Sequence, residues 1–176
     1  MAPSRPDLRI EALASHHDRE SFSCGIDGLD RYLRTQAGQD VRRKANAVFI
    51  LIETARPNDV IGYYTLCATA LAPGDVPLAA RKHIPRYPLV SATLIGRLAV
   101  ARARQGERLG TILLADAVQR AYASAASVGS SMLVVDAVNE RAAGFYADNG
   151  FVRLPETPRL VLPIRTVAKL LESVRH

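Results

Sequence analysis

Between Leu94 and Ala115 the residues come in an order that could hold an anion. Leu94, Ile95, Leu98 and Val100 read as a buried strand, Arg102 to Arg108 as a charged turn, and Leu109-Gly110-Thr111-Ile112-Leu113-Leu114 as the opening of a long helix. A strand passing through a basic, glycine-containing turn into a helix N-terminus aims unpaired backbone N–H groups and the positive end of the helix dipole at one point. Such a point favours an anion, most often a phosphate. Three further basic clusters stand apart from this turn: Arg31 with Arg34, then Arg42-Arg43-Lys44, and finally Arg81-Lys82-Arg86. Each reads either as a solvated face or as a footprint for a nucleic-acid backbone. Among the 23 basic residues only Lys44, Lys82 and Lys169 are lysine, and the net charge is +6. Arginine's planar fork suits phosphate, although an arginine- and alanine-rich composition also follows from a GC-rich genome.

The elements that must position these residues follow from periodicity and turn chemistry. Leu8, Ile10 and Leu13 suggest a first strand. Asp27 is placed to cap a helix whose Leu29, Leu33, Gln36 and Ala37 share one face. Ala47 to Ile52 is a continuous apolar strand, and Val60 to Ala70 is the next. In the second, Tyr63, Thr65, Cys67 and Thr69 alternate with Tyr64, Leu66, Ala68 and Ala70, which gives one hydroxyl- and thiol-bearing face and one mainly apolar face. A proline-containing link, Pro73 to Pro88, leads to the central strand. After the basic turn, a helix to about Ser127 is ended by Val128-Gly129. Met132 to Val135 is apolar on both faces, as a strand covered on both sides should be. Asn139 is placed to cap a helix from Glu140 to about Asn149, with Gly150 closing it before a strand at Phe151-Val152. Leu160 to Leu162 form a last strand and Val167 to Leu171 a terminal helix.

At 176 residues, 48% of them hydrophobic, the chain is expected to be a single domain over 1–176 with a substantial core. No apolar run is long enough to span a bilayer, and residues 1–10 lack a signal-type apolar stretch, so no membrane association and a cytoplasmic location are expected. Cys24 and Cys67 lack metal-ligand spacing and read as ordinary reduced thiols; no metal site is expected.

The order of these elements, with three motif regions, resembles the GNAT superfamily of N-acetyltransferases. Ile95-Gly96-Arg97-Leu98-Ala99-Val100 is similar to the strand whose backbone pairs with the pantetheine arm of acetyl-CoA in that family. Gln105-Gly106-Glu107-Arg108-Leu109-Gly110 resembles its pyrophosphate loop, with Arg108 standing where the loop has its middle glycine. Ala143-Gly144-Phe145-Tyr146 followed by Asn149-Gly150-Phe151 resembles its Phe-Tyr and Gly-Phe signature. The implied fold is α/β (α+β): a mixed, mostly antiparallel sheet splayed at the acetyl-CoA site, with helices on both faces. Within the superfamily, Phe22-Ser23-Cys24-Gly25, Leu29 to Leu33, Gln36-Ala37, Gly62 to Leu66 and Gly96 to Val100 resemble the TacT-like toxins of bacterial toxin-antitoxin pairs. That resemblance implies acetylation of the α-amino group of aminoacyl-tRNA, which blocks translation. It also implies neutralisation by a ribbon-helix-helix antitoxin, and a homodimer.

Acetyl transfer to an amine needs a neutral nucleophile, a polarised thioester carbonyl and a proton for the departing sulfur. The resemblance assigns the proton to Tyr146; read without it, a tyrosine on an apolar helix face is a core residue with a satisfied hydroxyl. Binding of the acyl donor is expected at Leu98, Ala99, Val100, Gln105, Gly106, Glu107, Arg108, Leu109, Gly110, Thr111, Asn139 and Phe145, with a backbone N–H of Leu98 or Val100 polarising the carbonyl. Neither Val90–Val100 nor Val60–Ala70 holds a carboxylate or histidine that could act as a base, and Glu53 lies at a strand end. At pH 7 roughly 10–15% of an α-amine, but well under ~0.1% of a lysine, is already neutral, so a site with no strong base suits the α-amine. Arg97 flanks the proposed centre and either holds a phosphate, of the acceptor end or of the cofactor, or makes a surface ion pair. Two other readings stay open: a GNAT enzyme acting on a small-molecule amine or a protein N-terminus, and a non-catalytic acyl-CoA or RNA binding module.

Overall fold

The computed structural model of the chain describes residues 4–81 and 87–174. In chain order its elements are β1 (Leu8–Ala12), α1 (Asp27–Thr35), α2 (Ala37–Arg42), β2 (Ala47–Glu53), β3 (Gly62–Leu71), a 3₁₀ turn (Pro73–Asp75), α3 (Leu78–Arg81) and β4 (Val90–Val100). A second 3₁₀ turn (Arg102–Arg104) is followed by α4 (Leu109–Ala125), β5 (Met132–Asp136), α5 (Glu140–Asp148), β6 (Val152–Arg153), β7 (Arg159–Pro163) and α6 (Ile164–Val174). The strands form one mixed sheet in the order β1-β2-β3-β4-β5-β7-β6. β4 and β5 run parallel, and β1–β2, β5–β7 and β6–β7 run antiparallel. None of the described helices is long and apolar enough to cross a membrane.

The chain divides into two compact units, one formed by the residues up to Thr65 with Arg97–Asp116, the other by Leu66–Gly96 with the residues from Ala117 onward. In the first, β1 pairs with β2 with Ile10 opposite Leu51, and Leu13 N–H continues the ladder to the Val48 carbonyl. Its core gathers Leu29, Tyr32, Leu33 and Ala37 from α1 and the start of α2 with Val48, Ile50, Ile52, Tyr63 and Ala99 from the strands. The spacing of Leu29, Leu33 and Ala37 produces this: one stripe at helical period faces inward while Arg31 and Arg34 stay exposed. At Gly62 the packing leaves no room for a side chain, since a Cβ there would stand 2.9 Å from Leu113 Cδ1 and 3.0 Å from the Ala99 carbonyl oxygen.

In the second unit Met132, Leu133, Val134 and Val135 of β5 are all fully buried, as their unbroken apolar run requires. The β4–β5 ladder registers Ala92 with Met132 through Ile95 with Val135, whereas β4 itself continues to Val100. Leu71, Val76, Val90, Ala92, Met132, Val134, Leu154 and Val161 form the core cluster on this side.

Two local expectations are corrected. Asp27 is not a capping residue: it is the first residue of α1, and Ile26, with extended backbone, precedes the helix without a side-chain cap. The carboxylate that ties down this turn is Asp30, whose Oδ1 accepts the Cys24 N–H at 2.8 Å. On β3 the alternation of a polar and an apolar face fails at the start, where Tyr63, Tyr64 and Thr65 are all buried. Both faces are covered there, and Tyr63 meets the requirement of a buried phenol by donating to the Leu29 carbonyl at 2.7 Å.

Candidate functional site

The basic turn after β4 is built by its own side chains. Arg102 N–H bonds the Ser23 carbonyl at 2.7 Å, and the amide of Gln105 donates to the carbonyls of Cys24 and Val100 at 2.9 and 3.1 Å. Gln105 therefore anchors the loop to the preceding strand and to the Cys24 turn. Arg104 is held between two carboxylates, pairing with Glu53 at the end of β2 and with Glu107 through Nε at 2.7 Å. Glu107's carboxyl is pulled below its ordinary range, first by the hydrogen bond from Arg104, and the guanidinium is in turn pushed up. Two of the turn's charges therefore cancel each other and fix the backbone. Sequence reading missed this clasp, because Glu53 and Arg104 lie far apart along the chain.

What remains for a ligand is main chain. Gly106 has φ +90° with open space where a Cβ would stand, and Arg108 has φ +60°. The left-handed region costs an ordinary residue roughly 1–2 kcal/mol, so the loop keeps a glycine-type backbone at Arg108 against the preference of its own side chain. That side chain is exposed. Directly after it α4 begins, and the N–H groups of Leu109, Gly110 and Thr111 in its first turn have no intrahelical acceptor. This turn can bind an anion through backbone donors, aided by the helix dipole.

Arg97, on β4 in the same unit, makes no ion pair among the described residues, which leaves one of its two readings without support there. Its Cζ lies 3.5 Å from the centroid of the Tyr32 ring. Tyr32 is buried and donates its phenol to Asp40 Oδ2 at 2.8 Å, while Asp40 also accepts from Gln36 and Asn46 at 3.0 and 2.9 Å. Burial and the bond to Asp40 push the Tyr32 phenol up. Asp40 is lowered, first by Gln36 and Asn46 and then by Tyr32 and Arg97.

The remaining basic residues divide by environment. Arg31, Arg34, Arg42, Arg43 and Lys44 are exposed on and just after α1 and α2. Arg81 is exposed but spends its Nε and NH2 groups on the Val76 and Gly74 carbonyls at 2.9 and 3.1 Å, which closes the turn before α3. Lys82 and Arg86 lie outside the described residues.

In the second unit α5 carries the other predicted residues. Asn139 caps it as expected, with extended backbone and its Oδ1 accepting the Ala142 N–H at 2.8 Å. Tyr146 is 5% exposed, with its ring 5.3 Å from that of the half-buried Phe145 and 5.8 Å from that of Phe151. Burial alone pushes its phenol up to about 12. Among the described residues no partner takes that hydroxyl, so the core reading of Tyr146, which required a satisfied phenol, is met in its packing and not in its bonding.

Among the described residues one group with metal-ligand chemistry lies elsewhere: Glu11, His16 and His17. His17 Nδ1 accepts the Ala14 N–H at 2.9 Å, so the neutral ring carries its proton on Nε2, 2.8 Å from Glu11 Oε1. The lone pair a cation would need at Nε2 is therefore used, and the trio works as a clasp on β1.

The match to known proteins agrees with this geometry. The acetyltransferase (GNAT) family matches residues 12–151. The chain belongs to that family. A tRNA-acetylating toxin of Mycobacterium tuberculosis is 36% identical to it over 141 residues, 80% of this chain and 82% of the toxin. AtaT complexed with acetyl-methionyl-tRNAfMet has a TM-score of 0.86 at 32% identity, covering 94% of this chain and 99% of AtaT. A tyrosine-to-phenylalanine mutant of AtaT, bound to the C-terminus of the antitoxin AtaR and acetyl-CoA, has a TM-score of 0.79 at 29% identity, covering 94% and 98%. The turn from Gln105 to Gly110, which resembles the GNAT pyrophosphate loop in sequence, has features that suit a diphosphate: positive-φ backbone at Gly106 and Arg108, no Cβ at Gly106, and a helix N-terminus behind them.

Proposed function

We propose that this GNAT chain is a toxin that acetylates the α-amino group of an aminoacyl-tRNA, with acetyl-CoA as donor, and so blocks translation. The observation that carries the reading is the loop at Arg108, which keeps the backbone of a diphosphate cradle without the glycine, in a chain similar to tRNA-acetylating toxins over most of its length. In this account Gly106, Arg108, Leu109, Gly110 and Thr111 hold the donor's diphosphate through backbone N–H groups. Leu98, Ala99 and Val100 of β4 hold its arm, and the family resemblance gives Asn139, which caps α5, and Phe145 a part in binding the donor. Arg104, Glu53, Glu107 and the Gln105 amide keep the loop in shape.

Acetyl-CoA supplies the acetyl group as a thioester, activated toward an amine. Tyr146 holds the proton. Its phenol is pushed up to about 12, so it stays protonated throughout the physiological range. A thiol has a pKa near ~8.5, so a free thiolate would not strip this phenol of its proton at equilibrium. The balance closes if the same oxygen accepts the proton that the amine must lose as it gives its own to sulfur. One phenol then serves both transfers and no further base is consumed, which suits a substrate amine that is already partly neutral at pH 7. A backbone N–H of Leu98 or Val100 polarises the carbonyl.

Arg31, Arg34, Arg42, Arg43, Lys44 and Arg97, with Arg81, Lys82 and Arg86, provide positive charge for the RNA backbone. We further infer work in the cytoplasm, where charged tRNA is used, a homodimer, and an antitoxin partner of the ribbon-helix-helix class. Incubation with labelled acetyl-CoA and charged tRNA, deacylated tRNA or a peptide with a free N-terminus tests the reading. Label is expected on charged tRNA only. Label on the peptide replaces the substrate, and label on nothing leaves a binding module.

A further inference from the structure

Three other half-buried arginines are spent on oxygens of the protein: Arg104 on Glu53 and Glu107, Arg159 on Asp136 through Nε and Nη2 at 2.8 and 3.0 Å, and Arg19 on the Leu33 carbonyl at 3.4 Å. Arg97 differs from these three. It is half-buried, yet among the described residues no carboxylate or carbonyl accepts from its guanidinium. Instead the flat face of the group lies on the Tyr32 ring. Stacking occupies the π-face of a guanidinium and leaves its in-plane N–H edge available, the edge that matches two oxygens of a phosphate.

The platform beneath it is fixed. Tyr32 is 6% exposed, stacks on Tyr63 with ring centroids 6.4 Å apart, and has its hydroxyl tied to Asp40 Oδ2, which also accepts from Asn46 while Oδ1 accepts from Gln36. Asp40 thus sets a negative charge within the field of Arg97 without taking its protons. An arginine arranged in this way is compensated enough to be half-buried and still has its donors free. Arg31 and Arg34, on the exposed face of the helix whose inner face carries Tyr32, add a basic strip suited to a polynucleotide backbone, which favours RNA as the source of the anion.

We propose that Tyr32 is a positioning residue that holds Arg97 flat so that its N–H edge receives a backbone phosphate of the RNA acceptor end. The inference rests on the tRNA reading, and it separates Arg97 from the phosphates of the acyl donor. Tyr32 touches no substrate and acts through Arg97; Asp40 acts through Tyr32.

The test uses the full chain and four variants: Arg97→Ala, Tyr32→Leu, Tyr32→Phe and the double variant Arg97→Ala with Tyr32→Leu. Tyr32→Leu is expected to raise KM for charged tRNA about tenfold while kcat and the KM for acetyl-CoA stay within about twofold. Tyr32→Phe, which keeps the ring, should recover most of the loss, and its thermal melt shows that the fold persists. Binding of deacylated tRNA, followed by filter titration against salt, needs no activity at all. Loss of one phosphate contact lowers the log–log slope by about 0.7–0.9, and Arg97→Ala, Tyr32→Leu and the double variant should all show that same single decrement. Additive decrements would overturn the positioning role. So would an equal loss on a phosphate-free aminoacyl nucleoside, and a raised KM for acetyl-CoA in Arg97→Ala would move the anion to the donor. A chain that acetylates no charged tRNA yet shows the shared slope change keeps the Arg97–Tyr32 site and loses the enzymatic reading; the converse loses only the site.

Discussion

Arg97 and Arg104 are seven positions apart, one on β4 and one in the turn that follows, and the protein uses them in opposite ways. Arg104 is consumed: two carboxylates grip it, and its charge builds the shape of a loop whose donors for a proposed ligand are backbone N–H groups. Arg97 is kept in reserve on an aromatic face, with its charge balanced at one remove by Asp40. The difference shows why a count of basic residues says little about a binding surface. What decides is whether a carboxylate reaches the guanidinium first, and that depends on residues brought in from β2 and α1.

The comparison can be broken or sharpened by substitution, and the largest expected effect lies outside both arginines. Tyr146→Phe should cut acetyl transfer by about 10²–10⁴-fold, the usual contribution of a positioned acid–base group, with no loss of acetyl-CoA binding by calorimetry. Unchanged turnover would remove Tyr146 from the chemistry. Arg104→Ala leaves Glu53 and Glu107 without their shared cation and frees the loop. It should raise KM for acetyl-CoA about tenfold, a loss of ~1.4 kcal/mol, while KM for charged tRNA stays the same. The opposite split would mean that the two arginines have been assigned the wrong way round.

Stability changes are the smaller effects. Gly62→Ala would force a methyl against Leu113 and the Ala99 carbonyl, and overpacking of this kind costs about 1–3 kcal/mol in denaturant unfolding. The phenol of Tyr146 is raised from its ordinary 10 to about 12, so its burial is fully tolerated below pH 10. Above that the unfolded chain loses the proton first, and stability should fall as pH climbs through about 12. Tyr146→Phe should remove that share of the alkaline decline. Thr65 has a fully buried hydroxyl with no partner among the described residues. Thr65→Val should therefore leave the melting temperature unchanged or raise it slightly, since burying an unsatisfied hydroxyl costs about 1–3 kcal/mol.

The basic turn after β4, the order of strands and helices and the Asn139 cap were legible because each depends on neighbours in sequence: an apolar run, a glycine, a polar residue before a helix. Arg108 was legible as a departure from the family loop, but its left-handed backbone was not, because composition gives no sign of whether a loop yields to a side chain or forces it. Tyr32, Gln36 and Asp40 follow one another at four-residue spacing, a signal that could have placed all three on one face. The break between α1 and α2 at Gln36 hid it. The expected cap at Asp27 failed for a related reason. Ile26 already has the extended backbone that a helix start requires, and the Asp30 carboxylate had been drawn to the Cys24 N–H.

The central claim concerns where the acetyl group goes. Charged tRNA treated with the protein and labelled acetyl-CoA, then digested with nuclease and resolved by mass spectrometry, should yield 3′-terminal adenosine esterified to an N-acetylated amino acid. Acetyl found on the nucleobases, on lysine side chains of added protein, or nowhere would contradict the account.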